Sequence, residues 1–183
     1  MSMPASDQFN PLAVAVLTVS DSRGPEQDSS GDFLAQALQS AGHKLAARAL
    51  VPDDIYRIRA QVSAWIADPH TDAILITGGT GFSGRDSTPE AIAVLFDKPI
   101  DGFGELFRHL SLHDIGTSTI QSRALAGFAN HTVIFAMPGS TGACELAWQK
   151  ILLEQLDSRH RPCNFYGVLR VSADSANNNE SAQ

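Results

Sequence analysis

The chain alternates between short apolar runs and longer stretches in which apolar residues recur at helical spacing. The apolar runs predict β-strands, because roughly four to eight consecutive apolar or β-branched residues are typical of strands buried on both faces. The clearest predicted strands are 12–19, 73–77 and 132–137, with a more polar strand at 44–51. Residues 12–19, LAVAVLTV, contain so little polar surface that they predict a central position in a sheet.

The stretches with helical spacing predict amphipathic helices between these strands. They cover 33–41, 55–66, 89–96, 103–110 and 142–156. Ser29 and Asp32 form a capping-box-like pair ahead of the first helix, and Gly42 follows its end. Residues 117–129 are ambiguous between a short strand or loop and a helical turn. Strands that alternate with helices predict a three-layer α/β fold with a mostly parallel, doubly wound sheet.

The predicted helix at 142–156 is apolar on two faces. One face carries Cys144, Ala147, Trp148, Ile151, Leu152 and Leu156. Leu146 and Leu153 fall on the opposite side of this helix. A domain of this size should not expose both faces, so we expect either the segment 162–169 or another subunit to cover the second. The latter alternative predicts a homo-oligomer.

Composition narrows the class of protein. The 183 residues suit one domain, 11–171, between polar tails at 1–10 and 172–183 that we expect to be disordered. A net charge of −7 without a run of Lys or Arg argues against nucleic-acid binding, and no apolar stretch approaches the roughly 20 residues that cross a membrane. Cys144 and Cys163 are too few for a zinc site or a disulfide framework. We therefore expect a soluble, cytoplasmic protein in a reducing compartment.

The loop after the third predicted strand is rich in glycine. Residues 78–84, GGTGFSG, leave backbone amides open to a ligand, because glycine adopts positive φ and has no Cβ. Arg85 and Asp86 follow, and then Thr88 as the expected N-cap and Pro89 at the first helical position. A strand, a glycine loop, a cation, a carboxylate and a helix N-terminus together indicate a site for a phosphorylated ligand with a divalent metal.

Two known phosphate-binding motifs nearly fit this loop, and both fail. Residues 79–84 match G-x-G-x-x-G, but the dinucleotide version has its third glycine inside the helix and usually follows the first strand. Residues 79–86 resemble G-x-x-x-x-G-K-[ST], yet Arg85 replaces the lysine and Asp86 the metal-binding hydroxyl. The alternative to a ligand site is a tight loop that only reverses the chain, which would not require an arginine, an aspartate and a capped helix together.

Three aspartates follow predicted strands: Asp21, Asp53 and Asp86. Because the carboxyl ends of parallel strands meet at one edge of a sheet, where open α/β sheets bind ligands, we expect these side chains at one site. Mg²⁺ is usually held by one or two carboxylates and substrate phosphates, so the three aspartates suggest a magnesium and phosphate centre. Asp21 is equally typical of a turn and Asp53 of a helix N-cap, whereas Asp86 is the hardest to explain without a ligand.

Weaker signals lie elsewhere in the chain. Residues 138–140, PGS, again place a glycine turn between a strand and a helix, so their amides and hydroxyl are candidates for a second anionic or polar group. Ser122 and Arg123 offer a hydroxyl and a guanidinium to phosphate, although Arg123 is equally typical of a surface ion pair. His109 and His113 have helical spacing, but no third partner completes a metal site.

Together these motifs resemble the MoaB/MogA family of molybdenum cofactor biosynthesis. The resemblance covers about residues 14–165 and rests on SDSR, DSSG, PDD, ITGGTGFSGRDSTPEA, GFGELFR, QSRALAG and MPGS. The PGST and RPCNF stretches look more like the MoaB branch than the MogA branch. The resemblance implies a three-layer α/β fold, a homotrimer or homohexamer, and binding of molybdopterin, a pterin dithiolene with a terminal phosphate.

MogA-type members of this family adenylylate molybdopterin with Mg-ATP and release pyrophosphate. The resemblance implies that the two aspartates on which this activity depends are Asp53 and Asp86, as catalytic residues and Mg²⁺ ligands; Asp54 stands where the family has a glutamate. It assigns the pterin or its phosphate to Gly78, Gly79, Thr80 and Gly81, and further nucleotide or pterin contacts to Asp21, Ser122, Pro138, Gly139 and Ser140. Some MoaB proteins lack the first aspartate, so the alternative is a molybdopterin-binding carrier or scaffold that serves other proteins of the pathway without catalysis.

Overall fold

The computed structural model describes residues 7–22 and 24–169 of the 183-residue chain. Residues 1–6 of the predicted tail 1–10, and the whole predicted tail 172–183, lie outside the described residues. Residues 7–10, predicted as part of the first tail, pack onto the domain: Ser158 Oγ donates to the carbonyl of Gln8 at 3.0 Å and accepts from the amide of Asn10 at 2.8 Å. The packed chain therefore begins before the predicted boundary at residue 11.

Within the described residues, the sheet contains β1 (Ala13–Val19), β2 (Lys44–Val51), β3 (Ala73–Thr77), β4 (Lys98–Pro99), β5 (Leu125–Ala129) and β6 (Thr132–Met137). Their order across the sheet is β2-β1-β3-β6-β5-β4. β1 pairs in parallel with β2 and β3, and β3 pairs in parallel with β6. β5 is antiparallel to both β6 and β4. The mostly parallel sheet confirms the predicted fold class.

The helices are α1 (Ser29–Ser40), α2 (Ile55–Ala67), α3 (Thr88–Ile92), α4 (Asp101–Ile115), α5 (Thr141–Ala147) and α6 (Leu153–Gln155). A π-helical segment, Trp148–Leu152, joins α5 to α6, and 3₁₀ segments lie at Pro25–Gln27, Ala93–Leu95 and Gly116–Gln121. The N-cap of α1 is Asp28, one residue before the predicted capping pair, and its carboxylate accepts from the Gly31 amide. No helix among the described residues is both long and apolar enough to cross a bilayer.

Helices cover both faces of the sheet, which produces the predicted three layers. α1, α4 and α5 bury Leu34, Phe107 and Cys144 on one face, so the apolar side of the last helix that carries Cys144 packs into the core. α2 and α3 bury Ile58 and Ile92 on the other face. Each fully buried side chain of this size contributes about 1.5–3 kcal/mol to the free energy of unfolding, so both layers hold the strands that carry the site.

The two apolar sides of the last helix have different environments. Leu146 is partly buried against the α1–α4–α5 core, as are Phe165 and Tyr166 of the C-terminal segment. Leu153 keeps 42% of its surface exposed. Leu146 is thus covered within the chain, whereas Leu153 is an exposed apolar residue.

Candidate functional site

The carboxyl ends of β1, β2, β3 and β6 converge on a cavity of about 480 Å³. Predicted site residues that line it are Asp21, Asp53, Gly78, Gly79, Thr80, Gly81, Asp86, Ser122, Pro138 and Gly139. Ser140 is not among the lining residues; its Oγ accepts a hydrogen bond from the Ala143 amide and caps α5. The cavity therefore lies where open α/β sheets bind ligands.

The glycine loop requires glycine at its first two positions. Gly78 and Gly79 have φ of +104° and +63°, in the region that L side chains rarely adopt. A Cβ on Gly78 would lie 2.1 Å from the carbonyl oxygen of Val19, at the end of β1. A Cβ on Gly79 would lie 2.4 Å from Thr88 Oγ1 and 2.6 Å from Asp53 Oδ2. The absence of side chains lets the loop lie directly between the end of β1 and the Asp53 carboxylate.

Thr88 holds the loop rather than capping the helix. The N-cap position of α3 belongs to Ser87, whose side chain makes no capping hydrogen bond. Thr88 lies in the first turn, where its Oγ1 donates to the carbonyl of Gly78 at 2.9 Å and its amide donates to the carbonyl of Gly79 at 2.9 Å. The predicted N-cap is therefore displaced by one residue, and the Thr88 hydroxyl donates to the Gly78 carbonyl instead of capping the helix.

Asp53 is not the N-cap of α2. That position belongs to Asp54, whose Oδ1 accepts from the amides of Tyr56 and Arg57. Asp53 Oδ1 instead accepts from the amide and the hydroxyl of Ser87, at 2.9 Å and 2.7 Å. The Asp53 side chain thereby links the end of β2 to the start of α3, and it lines the cavity.

Asp86 is held by its own loop. Its Oδ2 accepts from the Ser83 amide at 2.7 Å. A hydrogen bond from the Ser83 side chain is the largest cause that holds the pKa of Asp86 below its usual value, and backbone hydrogen bonds and the charge of Arg123 act in the same direction against burial. Asp86 is therefore a carboxylate at neutral pH, and it directly precedes Ser87, which donates to Asp53.

Arg123 lies two residues before β5 and braces the glycine loop. Its Nε donates to the carbonyl of Thr80 at 3.2 Å, and its Nη2 donates to the carbonyl of Asp86 at 2.9 Å. Its Nη1 forms an ion pair with Glu90, and its guanidinium carbon lies 5.1 Å from the centre of the Phe82 ring. Of the two alternatives for Arg123, the structure shows the ion pair, and it adds contacts to both ends of the loop.

Asp21 and Arg85 pair at the cavity. Arg85 Nε lies 2.7 Å from Asp21 Oδ2, and Arg85 Nη2 donates to Asp21 Oδ1 at 2.9 Å. Asp21 Oδ1 also accepts from the Asp53 amide at 3.0 Å. Arg85, the cation that the sequence predicted as part of a phosphate site, is thus bound by Asp21, one of the three predicted aspartates.

Ser122 presents a polar atom without a partner. Its Oγ is buried and has no hydrogen-bond partner among the described residues, and Ser122 lines the cavity. Buried hydroxyl groups are nearly always hydrogen-bonded, so this atom is suited to a ligand or an ordered water. Ile115, Ser118 and Gln121 also line the cavity and were not predicted from the sequence. Ser118 and Gln121 fall in the ambiguous stretch 117–129, and Ile115 ends α4 just before it.

The donor set fits Mg²⁺ only together with ligand oxygens. The described residues contain no group of three or more His, Cys, Asp or Glu that could hold a metal ion. Asp53 and Asp86 both line the cavity, and one or two carboxylates with substrate phosphates are the usual protein ligands of Mg²⁺. The two aspartates could therefore hold Mg²⁺ when a phosphorylated ligand supplies further oxygens.

The fold and the cavity define an α/β domain built to bind a small polar ligand at the ends of parallel strands. Residues 15–158 match the family described as a probable molybdopterin binding domain. Molybdenum cofactor biosynthesis protein B of Escherichia coli strain K12 is 55% identical over 165 residues, which cover 90% of this chain and 97% of that protein. The Bacillus subtilis strain 168 protein of the same name is 47% identical over 142 residues, which cover 77% of this chain and 84% of that protein.

Solved structures agree with these sequence matches. A crystal structure of molybdenum cofactor biosynthesis protein B superposes with a TM-score of 0.78 at 44% identity, covering 80% of this chain and 92% of that chain. The tungsten cofactor synthesizing protein MoaB from Pyrococcus furiosus gives 0.72 at 34% identity, covering 79% and 92%. A MogA structure gives 0.68 at 28% identity, covering 79% and 99%. The chain belongs to the MoaB/MogA family of molybdenum cofactor biosynthesis proteins, as its motifs predicted.

Proposed function

We propose that this chain binds molybdopterin in the cavity and adenylylates it with Mg-ATP, releasing pyrophosphate. A role in molybdenum cofactor biosynthesis and a molybdopterin-binding domain follow from the family. The observation that carries the finer proposal is the position of Asp53 and Asp86, which line one cavity and are joined through the 83–87 loop. The two residues that the family resemblance makes essential for adenylylation are thus in one place.

The chain's own groups supply binding and positioning. The amides of Gly79 and Thr80 can face an anionic group, whereas the Gly78 amide donates to the Met137 carbonyl and the Gly81 amide donates to the Asp86 carboxylate. The unpaired Ser122 Oγ can donate a hydrogen bond to the bound ligand. An oxygen of the pterin phosphate would attack the α-phosphorus of ATP, and the bond to the leaving pyrophosphate would break. Holding both substrates in line is then the main contribution of the protein.

The charge of the cavity supports a requirement for Mg²⁺. The described lining residues include three aspartates and one arginine, and Asp21 already neutralises that arginine. A triphosphate would be repelled by the remaining carboxylates, Asp53 and Asp86. These two residues would hold Mg²⁺, which supplies charge neutralisation of the phosphates when bound. Removal of divalent metal with EDTA should therefore abolish turnover.

The second candidate is a molybdopterin carrier or scaffold without catalysis. It is favoured by the two hydrogen bonds that Asp53 Oδ1 accepts from Ser87, because they give this carboxylate a structural role that needs no metal. Such a carrier would present the bound pterin to other proteins of the molybdenum cofactor pathway.

Incubation with molybdopterin and Mg-ATP separates the two candidates. Adenylylated pterin and stoichiometric pyrophosphate are expected for the transferase, and a matched reaction without ATP is the control. Bound molybdopterin without either product would select the carrier. Absence of molybdopterin binding would contradict both.

We also propose that the chain self-associates as a homotrimer or homohexamer. Leu153 is 42% exposed on the last helix, where an apolar residue favours a subunit contact. If Leu153 lies at that contact, Leu153→Glu should lower the mass measured by light scattering toward that of the monomer while the thermal unfolding remains cooperative. A monomeric wild-type protein would contradict the proposal, and unfolding without dissociation would place Leu153 in an intrachain contact.

A further inference from the structure

The three carboxylates of the cavity are stabilised in different ways. Asp53 accepts from Ser87, and Asp86 accepts from Ser83, so both are held by neutral donors. Asp21 alone among them is paired with a cation, Arg85. Arg85 is also the only arginine or lysine among the described residues that line the cavity. This arginine, which could bind an anionic ligand, is therefore already paired with a carboxylate.

The Asp21–Arg85 pair has the geometry of phosphate recognition. Two N–H groups of Arg85, on Nε and Nη2, face the two carboxylate oxygens of Asp21 at 2.7 Å and 2.9 Å. The same parallel pair of donors binds two oxygens of a phosphoryl group. The Arg85 side chain is 68% exposed and the Asp21 side chain 38% exposed, and ion pairs in such surroundings are weak because water screens them. A group with more negative charge than a carboxylate can therefore displace Asp21.

We propose that Arg85 is an anion-binding residue of this cavity and that Asp21 is its internal competitor, which a phosphoryl group displaces from the guanidinium when it binds. The assignment of a phosphorylated ligand rests on the function proposed above. Asp21 then lowers the affinity of the cavity for anions. The sequence had instead predicted that Asp21 contacts the ligand. An ionised carboxylate has no proton to donate to phosphate, and its charge repels the ligand.

A substitution that keeps the remaining contact of Asp21 tests this competition. Asp21→Asn removes the charge but retains a carbonyl oxygen for the Asp53 amide, which now donates to Asp21 Oδ1 at 3.0 Å. Binding of inorganic pyrophosphate should be measured by calorimetry in EDTA at low salt. Loss of a weak exposed ion pair predicts roughly two- to fivefold tighter binding in this variant. Arg85→Gln should weaken binding by roughly 10- to 100-fold, and Arg85→Lys by less, because it keeps the charge without the fork.

The double variant distinguishes competition from plain repulsion. If Asp21 acts by occupying Arg85, the gain from Asp21→Asn should disappear when Arg85 is already glutamine. Asp54→Asn is the matched control, because it removes one charge next to the cavity from a residue that caps α2 and does not line the cavity. Tm measured on every variant separates binding from folding.

Three outcomes would overturn the proposal. They are unchanged or weaker pyrophosphate binding in Asp21→Asn, unchanged binding in Arg85→Gln with a wild-type Tm, and the same gain from Asp21→Asn with and without Arg85. Parallel titrations with ATP and with molybdopterin identify the source of the phosphoryl group, since only the ligand that contacts Arg85 should respond to both variants; if neither responds, Arg85 binds no substrate. None of these titrations requires turnover, so a failure of adenylylation would leave their result intact.

Discussion

Removal of the charge from Asp86 tests the proposed catalysis most directly. Asp86→Asn keeps the size of the side chain, and its carbonyl oxygen can still accept from the Ser83 amide, which lies 2.7 Å from Oδ2. The loop should therefore keep its shape. What disappears is the negative charge that hydrogen bonds from Ser83 and the charge of Arg123 stabilise in the folded protein.

The structure predicts different magnitudes for stability and for turnover. Replacing one charge-assisted hydrogen bond by a neutral one in a partly exposed loop should lower the free energy of unfolding by about 0.5–1.5 kcal/mol. If the carboxylate positions the metal-bound ATP, turnover should fall by roughly 10²- to 10³-fold, because such electrostatic groups contribute about 3–4 kcal/mol to the transition state. The Kd of molybdopterin should change little, since loop amides and not this carboxylate would hold its phosphate.

Three measurements on one variant are needed: adenylylation rate, molybdopterin Kd and Tm. Asp97→Asn is the matched control, because Asp97 Oδ2 accepts from the Asn130 amide at 2.6 Å at a position that does not line the cavity. It should lose stability of the same order and keep its turnover.

Unchanged adenylylation by folded Asp86→Asn protein would remove this residue from the mechanism. A parallel loss of Tm, binding and turnover would instead show that Asp86 only builds the turn. Either result would contradict a catalytic role for the Asp86 charge.

The remaining predictions concern the glycine loop, its brace and the core. Gly79→Ala should lower the free energy of unfolding by at least about 1–2 kcal/mol, because the φ of Gly79 is +63° and a Cβ there would clash with two side chains. Gly84→Ala is the control, since a Cβ on Gly84 would meet open space, and it should leave the Tm unchanged in the same thermal melts. Arg123→Lys, which gives up the paired contacts to two loop carbonyls, should reduce turnover and Tm together, and normal turnover would contradict the bracing role. Burial lowers the pKa of His43, with partial opposition from two aspartates, and its Nδ1 accepts from the Leu12 amide. The contribution of neutral His43 to the free energy of unfolding is therefore complete above about pH 6.5 and is lost as the pH falls through the lower folded pKa. The free energy of unfolding from urea melts should decline from pH 7 to pH 5, and the decline should be smaller in His43→Gln. Equal declines in the two proteins would contradict this role of His43.

The sequence predicted the parallel half of the sheet well because its strands are nearly continuous apolar runs. β1, β3 and β6 are buried on both faces, which leaves this pattern unambiguous. Residues 117–129 were ambiguous because they split into a 3₁₀ segment, Gly116–Gln121, and the short strand β5. Neither segment is long enough to show a recognisable periodic pattern of apolar residues.

The cavity was predicted from strand ends, but the role of each polar residue was not. Two adjacent aspartates follow β2, and only the folded chain shows that Asp54 caps the helix while Asp53 turns toward Ser87. The same holds for Ser140, whose hydroxyl caps α5. Capping and ligand binding use the same residue types, and contacts that span 34 residues, as between Asp53 and Ser87, leave no local signal.

The brace formed by Arg123 has a consequence for how this domain can be divided. Arg123 lies just before β5, in the antiparallel part of the sheet, yet it donates to carbonyls at both ends of a loop that follows the parallel strand β3. The antiparallel edge therefore cannot be exchanged as an independent module. A chimera that imports this edge from another α/β protein must import an arginine at the same position, or the recipient will receive a complete sheet with an unsupported loop.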